Sequence, residues 1–471
     1  MPHLLKLCLA IAVATHPFAA SAQTGAANAT ATATATATVP ALTAAQIDAA
    51  VSQYYKPDEP GAVVLVAKDG KTIFRKAYGL ADTARGTAMT PDMQLRLGSL
   101  TKQFTSTAIL MLVDAGKIHL DDDITRFFPD YPTHGKRVTV EHLLNHTSGI
   151  VSYTSQPDFG AHMGEDVSVG AMIDRFKNDP LQFEPGAAHQ YNNSGYFLLG
   201  AIIEKVSGQR YADFLAQRIF TPLGMNDTAY EGRERGKAIR APGHTRGAAG
   251  FGPSTVVSMS QPYAAGALVS TVDDLARWDA AVSAGKLLKP ATWQRAFART
   301  TLTDGKTVNY GYGWIVGTLR GVPSIGHGGN INGYGAYALR VPSEHMYVAV
   351  LRNTDSGTAD ADTVASKIAA LAIGKPYPQY QAMTLDAKAL DAYAGTYKIG
   401  GKAERTVRRE GDKLRMQRTN RPPIMLTAFS PTGFFVPGEV DWIEFTRNSA
   451  GEVVSLTVQR DGDPEVNPRV P

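Results

Sequence analysis

Ser99-Leu100-Thr101-Lys102, running into Gln103-Phe-Thr-Ser-Thr-Ala-Ile-Leu-Met-Leu-Val-Asp-Ala115 and closed by Gly116, is the stretch from which the rest of the chain is read. The pattern predicts a helix over Thr101–Ala115, and its polar positions are too few for a surface helix, so it is expected at the centre of the fold. A spacing of three puts Lys102 one turn along on the same face as Ser99. The helix N-terminus adds positive potential and free N–H groups beside the serine. Serine is a weak nucleophile without an adjacent base, and a lysine in an apolar helix is where a depressed pKa is expected. The motif alone also fits a serine cap with an ordinary surface lysine.

Upstream, Ala44 to Tyr55 reads as a helix. Ala62-Val-Val-Leu-Val-Ala-Lys68 and Lys71-Thr-Ile-Phe-Arg75 flank Asp69-Gly70, a hairpin turn signal. Downstream, about Asp121 to Ala284 is helix and loop with many Gly and Pro. Strand patterning returns at Gly311–Gly317, Tyr334–Val341 and Met346–Leu351, followed by a helix over Asp362–Ile373. Terminal helices on an antiparallel sheet, with a mostly helical lobe inserted, predict a two-lobed α/β (α+β) domain over residues 43–375. From 385 to 471, short alternating strands such as Thr406–Arg409, Lys413–Met416, Trp442–Phe445 and Val453–Val458 predict a small all-β module. Its basic cluster (Arg405, Arg408, Arg409, Lys413, Arg415, Arg418, Arg421) is offset by Glu404, Glu410 and Asp412, as on a solvated hairpin face. An anionic cell-wall ligand is the alternative.

Two further motifs carry chemistry. Tyr191-Asn192-Asn193-Ser194-Gly195 places Tyr191 and Asn193 two apart, able to project to one side of a cleft in an extended or turn segment. A tyrosine acts as a base only if its pKa falls well below about 10, as beside a lysine cation. Asparagine offers a donor and an acceptor to an amide. Gly326-His327-Gly328-Gly329-Asn330 precedes the Tyr334–Val341 strand. Its glycines let a substrate backbone and an oxyanion approach, and His327 can donate a hydrogen bond without a fixed charge. Each motif alone also fits a plain loop or Gly-rich hairpin.

Taken in this order, Ser-x-x-Lys, Tyr-x-Asn and His-x-Gly resemble the serine β-lactamase and penicillin-binding DD-peptidase superfamily, in particular the class C β-lactamase branch with its esterases and D-aminopeptidases. Leu143–Gly149, Pro222–Thr228 and Ala265–Thr271 are also similar to that family, and the C-terminal module resembles lipocalin-like tails. The resemblance implies Ser99 as acylated nucleophile, with Lys102 and Tyr191 as the base pair that takes its proton and passes it to the leaving group. It implies Asn193, His327 and Gly329 at the substrate, and the backbone N–H groups of Ser99 and Asn330 as the oxyanion hole. It implies neither metal nor other cofactor. Class C β-lactamases usually carry Lys-Thr-Gly where this chain has His327-Gly328-Gly329. Loss of that permanent cation makes efficient β-lactam turnover an unpromising expectation. A small ester, amide or peptide is the expected substrate. A β-lactamase or cell-wall DD-peptidase is the alternative, and a non-catalytic peptidoglycan- or ligand-binding protein on the same fold is a third reading.

Composition narrows the field. A formal net charge of +4 over 471 residues is too weak for a dedicated nucleic-acid binder. The single cysteine, Cys8, rules out a disulfide scaffold, a thiolate zinc site or a cysteine nucleophile downstream of it. Lys6, the apolar Leu7–Val13 and the small residues Ala20-Ser21-Ala22 read as a secretory signal over 1–22, which implies a periplasmic or secreted protein. The Ala-Thr alternation of Ala29–Thr38 makes 23–42 a tether. After the leader no apolar run is long enough to span a membrane. His142 and His146 are four apart but lack the glutamate and third ligand of a metalloprotease, so they are read as surface or capping histidines.

Overall fold

The computed structural model describes residues 42–357, 360–400, 403–419, 422–459, 461 and 464–470. The expected leader, and the tether apart from Leu42, lie outside them. Residues from Leu42 onward form one compact unit.

Helix α1 (Ala44–Ser52) starts on a capping box: Thr43 accepts from the Gln46 amide, and the Gln46 side chain reaches back to the Thr43 amide. Strands β1 (Ala62–Lys68) and β2 (Lys71–Tyr78) form the hairpin, with Asp69 and Gly70 both at positive φ. Helix α2 (Thr101–Asp114) and helix α3 (Asn193–Ser207) belong to the helical lobe. Strands β3 (Ile315–Leu319), β4 (Val322–Ile331), β5 (Tyr334–Val341) and β6 (Met346–Arg352) complete the sheet, and α4 (Ala361–Ala372) closes it. The six-stranded sheet has the order β3-β4-β5-β6-β1-β2, antiparallel throughout.

The period-two pleat of β1 explains why it reads as a continuous apolar run. Val64 and Val66 pack with Ile47, Val51 and Ile368 of α1 and α4 on one face. Val63 and Leu65 join Phe104, Ala108 and the helical-lobe core on the other. Both faces are dry, so neither side of the strand can be polar.

One expectation on this sheet needs correction: the strand expected over Gly311–Gly317 lies at Ile315–Leu319 instead. The Gly326–Asn330 stretch, placed ahead of the Tyr334–Val341 strand, is itself the second half of the ten-residue β4, so the alternative of a Gly-rich hairpin fails, and the turn follows it at Asn332-Gly333. Three glycines weaken strand propensity, yet the ladder to β5 pairs every residue from Ile325 to Ile331.

The C-terminal module is an eight-stranded antiparallel meander in chain order: β7 (Gly395–Gly400), β8 (Ala403–Glu410), β9 (Lys413–Arg418), β10 (Ile424–Ala428), β11 (Gly433–Phe435), β12 (Trp442–Arg447), β13 (Val453–Gln459) and β14 (Glu465–Pro468). A bridge between Tyr397 and Arg469 brings its first and last strands together, so the sheet is barrel-like. Tyr397, Leu414, Phe434, Phe445 and Leu456 fill it. Arg405, counted in the basic cluster, is buried and paired with Glu465 and Asn467. The module packs against α4, where Thr363 donates to Glu439 (2.7 Å) and Lys367 to the Gly438 carbonyl (2.5 Å). That is the sheet face opposite α2, so the module sits behind the helical lobe and does not cap it.

Candidate active site

Ser99 lies in a single 3-10 turn, Gly98–Leu100, that runs directly into α2. Every residue of α2 from Thr101 to Leu110 is buried, Lys102 included. Its Nζ has three neighbours: Ser99 Oγ at 3.1 Å, Asn193 Oδ1 at 2.8 Å and the Ala265 carbonyl at 3.0 Å. No carboxylate pairs with it among the described residues, and burial holds it well below the usual ammonium range.

The proton count around this amine is informative. Asn193 Nδ2 donates to Thr154 Oγ1 (3.1 Å), and Oδ1 faces Lys102. Asn193 Oδ1 and the Ala265 carbonyl can only accept. A neutral amine has two hydrogens for those two oxygens and one lone pair for the Ser99 hydroxyl. Three oxygens would equally suit the three hydrogens of an ammonium; burial without a counter-charge is what favours the neutral amine that accepts from the serine.

Asn193 is the first residue of α3, not part of an extended segment. Asn192 caps that helix by accepting from the Gly195 amide (2.8 Å). Asn193 N–H donates to Ser152 Oγ (3.2 Å). Tyr191 precedes the cap, and its ring centroid is 4.7 Å from Lys102 Nζ. Its residue surface is 41% exposed, but burial around the phenol raises its pKa, while a hydrogen bond with Ser99 acts in the opposite direction. Burial outweighs that hydrogen bond, no charged lysine adds to it, and the phenol stays protonated.

Strand β4 approaches the serine turn closely. A Cβ on Gly329 would lie 1.9 Å from the Leu97 carbonyl and 2.8 Å from Ser99 N. Gly98, at φ +50°, would place a Cβ 3.1 Å from Asn330 N. Only glycine at 329 allows this contact, which brings the backbone of Asn330 up to the serine turn. His327 lies two residues back along the strand and is buried. Its Nδ1 is 2.6 Å from the Gly328 carbonyl and its Nε2 is 2.8 Å from Tyr310 Oη. Burial, with the Lys102 charge second, pushes this imidazole down to about 3. Strand β3 pairs with Val322–Gly326, so the His327–Ile331 half of β4 has no strand partner on that edge among the described residues.

Sequence reasoning missed two side chains here. His146 is not a surface or capping histidine. Its carbonyl accepts from Gln190 N (3.0 Å), and its Nδ1 accepts from Asn192 N (3.1 Å), so it brackets Tyr191 on both sides. Its ring centroid is 4.4 Å from that of Tyr191 and 4.7 Å from that of Tyr310. Burial first, then Lys102, His189 and His327, hold it well below the usual imidazole range. His142, by contrast, does cap, accepting from Thr139 N (3.2 Å). Tyr310 is the other omission. His146 falls in the Leu143–Gly149 stretch already singled out, whereas Tyr310 has no local signal.

Comparison with known proteins agrees with this architecture. The Beta-lactamase family matches residues 47–373, and a domain of unknown function (DUF3471) matches 380–469. A penicillin-binding protein of Bacillus subtilis is 29% identical over 427 residues, covering 85% of this chain and 93% of that protein. A D-aminopeptidase of Gluconobacter oxydans is 29% identical over 71% of this chain, which spans 63% of that enzyme's length. The solved structure of the octameric penicillin-binding protein homologue from Pyrococcus abyssi superposes with a TM-score of 0.64 at 26% identity, covering 88% of this chain and 95% of that one. The chain belongs to the β-lactamase family and is a serine hydrolase.

Proposed function

We propose that the protein hydrolyses a small amide, peptide or ester through an acyl-enzyme on Ser99, with weak β-lactam turnover at most. The observation that carries this reading is the unpaired, buried Lys102 amine 3.1 Å from Ser99 Oγ. Neutral Lys102 takes the Ser99 proton as Oγ attacks the substrate carbonyl. The carbonyl oxygen becomes an oxyanion against the N–H groups of Ser99 and Asn330. Tyr191, protonated and hydrogen-bonded to Ser99, gives its proton to the departing amine or alkoxide and is reprotonated from Lys102. Water then repeats the sequence on the ester, and Ser99 recovers its proton. Asn193 holds the lysine and offers an amide contact, and the open edge of β4 at His327 and Gly329 receives an extended substrate.

The amide and peptide side of the reading is supported by the D-aminopeptidase relative. The absence of a lysine at position 327 argues against efficient β-lactam turnover. The leader features at Lys6, Leu7–Val13 and Ala20–Ala22 support export. N-terminal sequencing of the mature protein from the periplasm or medium tests that point. The main test is intact-protein mass after incubation with a fluorophosphonate, a p-nitrophenyl ester and a penicillin. Expected are a fluorophosphonate adduct on Ser99, ester turnover and no lasting penicillin adduct. Rapid penicillin clearance would favour the β-lactamase or DD-peptidase alternative. Hydrolysis surviving in Ser99→Ala would overturn the nucleophile assignment.

A further inference from the structure

His327 occupies the strand position at which a cation would meet a substrate carboxylate, yet both of its nitrogens are already engaged. The Gly328 carbonyl, 2.6 Å from Nδ1, can only accept, so Nδ1 carries a proton. Nε2 is 2.8 Å from Tyr310 Oη. Tyr310 is buried, which raises its phenol and leaves it a proton to give. No N–H of the ring is left to turn toward Ser99. Tyr310 is itself anchored from behind, its carbonyl accepting from Thr300 N at 2.9 Å and Thr300 Oγ1 at 2.8 Å.

We propose that Tyr310 is a positioning residue that holds His327 as the Nδ1-protonated neutral ring, so that the strand beside Ser99 presents no cation and selects substrates without a carboxylate on the leaving-group side. Of the titratable groups that face the imidazole, Lys102 is the one that acts on it, against the imidazolium; the Gly328 carbonyl acts the other way and is outweighed by burial. Lys102 approaches from α2, Tyr191 and His146 from the loops before α3, and Tyr310 from the segment before β3, with Tyr196 of α3 packed on His146. None is an acid that would favour an imidazolium. A carboxylate brought here would be desolvated against a neutral ring with no opposite charge to offset the loss. An amide or ester end incurs no such cost.

The selectivity argument rests on Ser99 being the acylated nucleophile, whereas the hydrogen-bond argument does not, and the experiment separates them. Full-length wild type, Tyr310→Phe and His327→Lys are compared on D-alanyl-D-alaninamide and D-alanyl-D-alanine, and His327 is observed by 15N NMR of the imidazole. Expected for wild type is a single Nδ1–H tautomer down to pH 5 and a preference in kcat/KM for the amide. Tyr310→Phe keeps the ring but frees Nε2. With Nδ1–H still held by the Gly328 carbonyl, protonation of Nε2 to the imidazolium is then expected at a higher pH than in wild type, with the amide-to-acid ratio falling about tenfold and becoming pH-dependent. His327→Lys, which restores the cation-bearing residue type, is expected to move the ratio the same way. An unchanged imidazole titration and ratio in Tyr310→Phe would overturn the proposal, and a ratio that moves in His327→Lys alone would remove Tyr310 from it. If wild type hydrolyses neither substrate and Ser99 takes no fluorophosphonate, the acyl-enzyme reading has failed, and the imidazole titration in Tyr310→Phe still decides what Tyr310 does.

Discussion

Gly329→Ala is the substitution whose consequence can be worked most directly. The added Cβ would meet the Leu97 carbonyl at 1.9 Å, Ser99 N at 2.8 Å and Leu100 N at 2.9 Å. All three are backbone atoms of the serine turn, so no side chain can swing aside. Relieving the worst contact to 3.0 Å requires β4 and the turn to separate by at least about 1.1 Å. A hydrogen bond of about 2.9 Å from Asn330 N–H to the oxyanion would lengthen to roughly 4 Å, which is no longer a hydrogen bond. Loss of one oxyanion donor costs about 10²–10³ in kcat. The assay is kcat on a p-nitrophenyl ester, with near-ultraviolet circular dichroism to show that the fold is kept. Overpacking should also remove about 1–3 kcal/mol of stability, read by urea unfolding. A folded Gly329→Ala protein with kcat within threefold of wild type would refute the claim that this contact positions the Asn330 amide.

Four other outcomes follow from the same geometry. Lys102→Arg keeps hydrogen-bond donors but puts a fixed charge where the neutral amine had its lone pair, so ester turnover should fall about 10²–10⁴-fold while the protein still folds, checked by stopped-flow acylation. His146→Phe retains the ring but leaves Asn192 N–H without its acceptor, so kcat should fall about tenfold while fluorophosphonate still labels Ser99. Gly200→Ala would set a Cβ 2.4 Å from that of Ala264 and push the turn bearing the Ala265 carbonyl, with a loss of about 1–3 kcal/mol in urea unfolding. His327 is neutral when folded but titrates near 6.5 when unfolded. The unfolded state therefore binds more protons below that pH, so stability is full above about pH 6.5 and falls toward pH 3, by up to ~1.4 kcal/mol per unit for one such group. Urea unfolding of His327→Gln should show a shallower loss between pH 6 and 4, and an unchanged slope would show that the histidine is not buried neutral.

How much of this was legible depended on whether a local pattern carried it. Ser99 and Lys102 could be paired because three residues on a helix is a contact distance, and the apolar run of α2 announced its burial. The hairpin at Asp69-Gly70 was equally local. The helix beginning at Asn193 had a readable signal, since Asn192 caps Gly195 three residues on, but the two-residue spacing to Tyr191 suggested an extended or turn segment. Strand β4 was hidden because its glycines, which weaken propensity, are there for close approach to the serine turn, and that is a tertiary demand. Tyr310 reaches His327 from a distant segment with no pattern of its own, and the Ala265 carbonyl reaches Lys102 from a stretch whose likeness to the family did not say which atom would matter. His146 was weighed only against His142, although the two face different partners. In the C-terminal module, β14 contains Pro468 and little apolar surface, so the strand that completes the meander carried no alternating signature.

The electrostatics of the site tie its base to its substrate. Lys102, His146, His189 and His327 share a buried cluster with Tyr191, Tyr196 and Tyr310, with no acid among them. In such a place a second cation is as costly as the first, so a neutral His327 allows Lys102 to be depressed by desolvation alone. An anion entering the cleft would do the reverse: it would favour the ammonium, raise the Lys102 pKa and fill the lone pair that Ser99 needs. A carboxylate-bearing substrate therefore suffers twice, once in binding, where no cation compensates its desolvation, and once in kcat, where it reprotonates the base. A neutral amide or ester leaves the amine as the protein has set it. The same change at position 327 that weakens carboxylate binding also keeps the lysine independent of its substrate's charge.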